Sequence, residues 1–290
     1  MDKEKQIRKI KQYMKKRPWL VFLAPSLMGV LVFFAIPYMD VFRRAFFSSA
    51  GNRFTGLENF RDIFANEAFQ KALSNTGRFI VTCIPLLLII SLLISLFLYQ
   101  HTKIGQYVKT IFLIPMAIPI AAVVLLWNIL FDRQGFLNGF LDFFGVDAVD
   151  WMNTEYAFWI VVSSYIWKNL GYHIVLWIAG LSMIPENIYE VARMDGAKEG
   201  SIFFRITLPN LLPMVFIIVV LALLNSFKVF REAYLVAGDY PHESMYFIQH
   251  LFNNWFRDLS LGNMAAGAFF ISTMLILLII LLQKAWENRE

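Results

Sequence analysis

Six runs of mostly apolar residues punctuate this chain, at positions 19–39, 79–99, 108–131, 157–179, 212–230 and 265–283. Each has the length a helix needs to cross lipid, since a hydrocarbon core of about 30 Å takes about 20 residues. Strands of a membrane barrel would alternate over about ten residues, and these runs do not alternate. The expected fold is therefore an all-α membrane protein with six transmembrane helices. Composition agrees, because only 16% of the residues are charged against about 25% in a soluble domain. Pro25, Pro37, Pro85, Pro115 and Pro119 fall in or near the runs. Packed membrane helices tolerate proline where neighbours satisfy the freed backbone groups.

Charge sets the direction of threading. Residues 1–18 carry eight Lys or Arg against Asp2 and Glu4, and such flanks stay on the cytoplasmic side. The link at 100–109 has Lys103 and Lys109 and no acid, whereas the link at 132–156 has five acids and one Arg. Both termini, and the link between the fourth and fifth runs, are expected in the cytoplasm. The layout is a basic tail at 1–18, a six-helix domain at 19–283 and a short cytoplasmic tail at 284–290. The first run exceeds the apolar core of a secretory signal, about 7–15 residues, and reads as a retained anchor. Ile7, Ile10 and Met14 share one face of the basic tail, which could lie on an anionic membrane surface or serve only to fix topology. The aromatic segment 135–144 is expected at the outer interface. Cys83 is the single cysteine, which excludes an intramolecular disulfide and a cysteine-built zinc cluster.

The link at 181–211 is compact, charged and broken by Gly196. Pro185 suits the first turn of a helix, with Glu186 favourable near its N-terminus. Ile184, Ile188, Val191 and Ala192 then share one side at helical spacing. Gly196 stops that helix, residues 197–204 can form a second short one, and Pro209 and Pro213 mark the start of the fifth span. The expected product is a helix–Gly–helix elbow projecting from the membrane. Ala192, Gly196, Ala197 and Gly200 are small enough to let another backbone approach closely. Such an elbow suits a docking knob, although an ordinary packed interfacial loop would use the same residues.

This segment resembles the cytoplasmic loop of permease subunits in binding-protein-dependent ABC importers. That pattern is Glu-Ala-Ala, three residues, Gly, then a spacer ending in Ile-x-Leu-Pro. Here it reads Glu190-Val191-Ala192, Gly196 and Ile206-Thr207-Leu208-Pro209, with Val191 the one departure. The blocks FTGLENF at 54–60, FLIPMAIPIAAVVLLW at 112–127 and GFLN at 135–138 are similar to the carbohydrate-transporting branch. The resemblance implies a non-catalytic subunit of the bacterial-type plasma (inner) membrane, partnered by cytoplasmic ATPase subunits, a second and non-identical permease, and an extracellular solute-binding protein. It implies that Glu190, Ala192, Asp195, Gly196, Ala197, Gly200, Leu208 and Pro209 form the ATPase-coupling loop. Cofactors are expected only on the partner, as ATP and Mg. This chain contains no Gly-x-x-x-x-Gly-Lys-[Ser/Thr] phosphate loop, the feature ATP hydrolysis would need. The implied work is import of a sugar, oligosaccharide or polyol phosphate by alternating access driven from the ATPase.

Polar residues inside the runs point to a path, because ionisable groups at membrane depth face a bundle interior or a wet cavity. Sugars take hydrogen bonds at their hydroxyls and aromatic faces at their C–H sides. Trp127, Asn128, Lys168, Asn169, Tyr172 and Asn225 are the substrate-pathway candidates. Asn and Ser also bind membrane helices to one another, and His173 reads as structural because a lone His makes no metal site. A self-sufficient secondary transporter or channel would need a coupling carboxylate in a span or an inverted repeat, and no Asp or Glu lies within the runs as delimited. A membrane-embedded enzyme would need clustered catalytic groups, and the four histidines are scattered.

Overall fold

A computed structural model describes residues 18–100 and 102–287. Regular structure among them is helical, apart from an isolated antiparallel bridge between Phe47 and Phe54. The basic tail with Ile7, Ile10 and Met14 lies outside the described residues. Among the described residues, five segments are long and apolar enough to cross a membrane, or six if the bent pair Tyr156–Ser182 with Glu186–Met194 is one span.

The first run forms α1 (Pro18–Val30), a π-helical stretch Leu31–Ala35 and α2 (Ile36–Ala45). After α3 (Glu58–Ala65), the second run lies in α4 (Glu67–Gln100). At 34 residues, α4 is about 50 Å long at 1.5 Å per residue, well beyond a bilayer core. The third run departs from its expected single span. It is two helices, α5 (Thr102–Ala117) and α6 (Ile120–Phe131), with Pro119 as the non-helical residue before α6. Proline lacks an N–H and pushes the preceding residue, Ile118, out of the helical region. Further on come α7 (Phe136–Phe143) and α8 (Tyr156–Ser182).

The chain packs as two compact units. One comprises the residues up to Ala65 together with Trp255–Ser272. Its Phe42, Phe46, Phe60 and Phe269 rings meet at 5.2 to 6.2 Å between centroids, the range of favourable edge and tilted contacts. Asn59 is buried, and its Nδ2 donates to the carbonyls of Ala45 at 2.9 Å and Phe47 at 2.8 Å. Those carbonyls end α2 and have no helical partner of their own. A side chain at Gly262 would meet Asn59 Oδ1 at 2.9 Å, so the glycine makes room for this staple. The block FTGLENF thus does structural work through its Asn.

The other unit comprises Asn66–Asn254 and the residues from Thr273 onward. Here α8 packs most extensively against α4 and α5. Small hydroxyls join the apolar side chains in these contacts. Trp177 Nε1 donates to Ser91 Oγ at 2.9 Å, and Ser95 Oγ donates to the Ile174 carbonyl at 3.2 Å. Between helices these bonds replace water that the bilayer cannot supply. The N-terminal extension of α4 organises one end of the unit. Lys71 pairs with Glu243 at 2.8 Å, Thr76 Oγ1 accepts from the Ile248 amide at 3.0 Å, and the Arg78 guanidinium lies 4.2 Å from the Phe158 ring centre. Asn138 of α7 holds the neighbouring loop: its Nδ2 donates to Val149 O at 2.8 Å, while its Oδ1 accepts from Val149 N and Trp151 Nε1, both at 3.0 Å. This fixes GFLN as a loop staple, with Phe136, Phe140 and Phe143 exposed around it.

Gly171 marks the closest backbone approach among the described glycines. An added Cβ would lie 2.0 Å from the Phe112 carbonyl oxygen, a backbone atom of α5. Gly171→Ala is therefore expected to lower stability by about 2 kcal/mol through overpacking, read as a lower Tm of the detergent-purified protein; an unchanged Tm would contradict the contact. A second expectation concerns His250, in α13 (Ile248–Arg257), which is fully buried and accepts from the Phe247 amide at 3.2 Å. Burial pushes its imidazole from the ordinary 6.5 down to about 4. The unfolded state then binds more protons between those values, so stability falls as pH drops through that window. His250→Phe should flatten the decline between pH 6.5 and 4, measured by thermal melts.

Candidate functional site

The elbow begins where α8 ends at Ser182. Pro185 precedes α9 (Glu186–Met194), which leaves at 67° to α8. No residue of α9 is buried. Its tie to the bundle is Tyr189, which packs on the Trp177–Leu211 cluster and shares a 3.2 Å hydrogen bond with Thr207 Oγ1. At its far end, Gly196 has φ +77°. The Gly196 amide donates to the Arg193 carbonyl and the Ala197 amide to the Ala192 carbonyl, both at 3.0 Å. This paired closure of a helix C-terminus takes a left-handed residue, for which glycine carries no Cβ penalty. Arg193 and Glu199 then bridge the turn at 3.0 Å. Glu190, Asp195, Gly196 and Gly200 are exposed, and Ala192 and Ala197 partly so. The sequence reading chose the small residues of this surface and passed over Met194, which is 86% exposed beside Val191 at 57%. Its signal was present: Met194, like Val191, is an apolar residue in a short polar helix.

The expected second short helix at 197–204 is replaced by something longer. α10 (Glu199–Ile202), a π-helical stretch Phe203–Thr207 and α11 (Leu208–Ser226) run on as one segment. The Leu208 amide reaches the Phe203 carbonyl, an i→i−5 bond. Widening the ladder just ahead of Pro209 accommodates its missing donor, so Leu208 and Pro209 lie inside a continuous helix rather than at its start. At the other end, the fifth run was expected to stop at 230. It continues through a 3₁₀ turn, Phe227–Val229, into α12 (Phe230–Ala237).

That extension creates the main polar feature of the larger unit. Glu232 of α12 meets Lys168 of α8, with Oε1 to Nζ at 2.8 Å and side chains 9% and 16% exposed. The acid of the pair lies just past the fifth run, which holds no acid of its own, within the longer helical segment Glu199–Ala237. A cavity of about 180 Å³ opens beside it, lined by Lys168, Asn169, Asn225, Lys228, Arg231 and Glu232 together with Ser164, Tyr165 and a wall of Met116, Ile120 and Val229. Three of the pathway candidates, Lys168, Asn169 and Asn225, come together here. The others do not line it. Trp127 is buried in the apolar cluster and donates Nε1 to Ser164 Oγ at 3.1 Å. Asn128 is exposed on α6, and Tyr172 is half-buried, edge-on to His173 at 5.7 Å. His173 is fully buried, its Nδ1 2.9 Å from the Asn169 carbonyl. Glu232 escaped sequence reasoning because it follows the charged Lys228 and Arg231. The stretch Ala233-Tyr234-Leu235-Val236-Ala237 behind it was the available sign that the helix continues.

Removing one partner of a buried ion pair leaves the other charge uncompensated, which costs about 3–5 kcal/mol. Lys168→Met is therefore expected to lower the yield and Tm of the protein. Lys168→Met with Glu232→Gln should restore most of both. Equal melting of the single variant and wild type would show that the pair carries little.

Comparison with known proteins adds the family. Residues 87–289 match the model of the family described as binding-protein-dependent transport system inner membrane component. The chain is 30% identical to the trehalose/maltose transport system permease protein of Thermococcus litoralis, over 89% of this chain and 88% of that one. It is 28% identical to the sn-glycerol-3-phosphate transport system permease protein of Salmonella choleraesuis, over 93% and 95%. In fold it is similar to a chain of a bacterial ABC transporter involved in the import of the acidic polysaccharide alginate, with a TM-score of 0.82, 22% identity and coverage of 97% and 99%. The family model spans most of the chain, and on that ground the chain belongs to the family of binding-protein-dependent transport system inner membrane components.

Proposed function

We propose that this chain is the membrane-spanning permease subunit of an ATP-driven importer for a sugar or oligosaccharide. It works beside a second, non-identical permease, receives substrate from an extracellular binding protein and is driven by cytoplasmic ATPase subunits that hold ATP and Mg. Both termini and the elbow face the cytoplasm, and the chain is a basic tail, a six-helix domain and a short C-terminal tail. The observation that carries the reading is α9: a helix with no buried residue, bent 67° from α8 and closed by Gly196. Ile188, Val191 and Met194 are exposed on this small projection, and a contiguous exposed apolar patch marks an interaction site. Glu190, Ala192, Asp195, Gly196, Ala197 and Gly200 form the docking surface together with Val191 and Met194. Leu208 and Pro209 lie in the helix behind it. Tyr189, through Thr207 and the Trp177 cluster, gives a push on α9 a route into α8 and α11. ATPase closure would then be converted into alternating access.

Relatives named for trehalose/maltose and for arabinooligosaccharides transport support a carbohydrate cargo. The competing idea, a self-sufficient secondary transporter or channel, would use a coupling carboxylate. The buried carboxylate in the polar cavity is Glu232, and Lys168 already holds it.

The test is a mild-detergent pull-down of the tagged chain from its native membrane. Wild type is expected to bring down an ATPase and a second permease. Gly196→Asp, which strains the turn and adds charge, and Met194→Asp should each reduce the recovered ATPase by about tenfold, the loss of roughly 1.4 kcal/mol or more of docking energy. The second permease should stay. A wild-type chain that emerges alone would overturn the importer reading.

A further inference from the structure

The cavity beside Lys168 carries a chemical preference that the family relation leaves open, since relatives are named for both neutral sugars and a sugar-alcohol phosphate. Resting on the importer reading, we infer that this cavity takes a neutral hydroxyl group of the cargo, with Glu232 as the acceptor that selects it. The first observation is an unfilled acceptor. Glu232 is nine-tenths buried and spends Oε1 on Lys168. Its Oε2 is buried and has no hydrogen-bond partner among the described residues. A buried carboxylate oxygen without a donor is costly, and native structures rarely leave one so.

The neighbours do not supply that donor. Tyr165 Oη donates to the Ala222 carbonyl at 2.9 Å, and Asn169 Nδ2 to the Tyr165 carbonyl at 2.8 Å. Lys228 directs Nζ to Asn225 Oδ1 at 2.7 Å. The second observation is room. About 180 Å³ is large beside the roughly 10–15 Å³ that admits one water, and Lys168 and Glu232 both line it, so a small turn of the carboxylate would bring the buried Oε2 to a ligand group. A hydroxyl fits both halves of it, giving its proton to Glu232 Oε2 while accepting one of the Lys168 protons not used on Oε1. A carboxylate has no proton to give, a phosphate monoester is mostly dianionic at pH 7, and either would set one anionic oxygen against another. Lys228 and Arg231 add positive charge, but they are exposed and screened. The buried part of the site is a balanced pair with one acceptor to spare. Met116 and Ile120 offer the apolar wall that a sugar's C–H face would use.

The experiment uses the detergent-purified membrane complex with whatever subunits accompany the chain. Probe binding is followed by thermal shift and intrinsic fluorescence. The neutral probes are maltose, trehalose, raffinose and xylobiose; the charged probes are glucose 6-phosphate, glucuronate and glycerol 3-phosphate. Wild type should respond to at least one neutral probe more strongly than to every charged one, whose hydroxyls bring an anion with them. Glu232→Leu should weaken the neutral probe by roughly ten- to hundredfold, the worth of one hydrogen bond to a charged group. Glu232→Gln, which keeps an acceptor, should recover much of that and begin to admit a charged probe. The inference is overturned if a charged probe binds wild type as well as any neutral one, if no neutral probe binds, or if Glu232→Leu binds like wild type because only water fills the cavity. ATPase recovery with each variant separates the two readings. Retained ATPase with a failed probe pattern sinks the hydroxyl subsite alone, whereas absent ATPase in wild type sinks the importer.

Discussion

A helix that crosses lipid must satisfy every polar atom it buries, and in this protein α8 is where that constraint is concentrated. It carries Ser164, Tyr165, Lys168, Asn169, His173 and Trp177 within a few turns. Each meets a partner on another helix or on its own preceding turn, with Nε2 of His173 left buried without one among the described residues. Ser164 takes the Trp127 indole, Tyr165 the Ala222 carbonyl, Lys168 the Glu232 carboxylate and Trp177 the Ser91 hydroxyl. Those bonds fix α4, α6, α11 and α12 around one axis. They also leave few degrees of freedom for the elbow, since α9 departs directly from the end of α8. A polar helix satisfied on several sides is a costly thing to disturb piecemeal, which suits a part that moves as a body.

Much of this was legible from the sequence, for identifiable reasons. The runs stood out because bilayer thickness sets a minimum apolar length. The elbow stood out because Pro185 and Gly196 act locally: one removes a donor and fixes φ, the other permits the left-handed turn. The break at Pro119 was missed because tolerance of proline in membrane helices was applied to every proline alike. Pro209 and Pro213 show the opposite error. They were taken as markers of a helix start, yet the π-helical stretch ahead of Pro209 keeps the helix whole.

The candidate site was legible only in half. Lys168, Asn169 and Asn225 could be named because polar residues inside apolar runs are conspicuous. Glu232 could not, because its partner lies 64 residues away and it sits just past the apparent end of an apolar run. Trp127 was named for its chemistry, but its burial against Ser164 depends on which face of α6 meets α8. The staples Asn59 and Asn138 were visible as parts of familiar blocks. Their roles were not, since both bind backbone carbonyls, which leave no trace in side-chain identity.

The account turns on α9 as the contact through which an ATPase moves this subunit. The direct measurement is site-specific photocrosslinking in native membranes, with the reactive side chain placed at Met194 and, as a control, at Phe136 on α7. The account predicts a crosslink from Met194 to an ATPase subunit, changed in yield when ATP is added, and none to that subunit from Phe136. A Met194 probe that finds only lipid or this chain itself, with or without ATP, would contradict it.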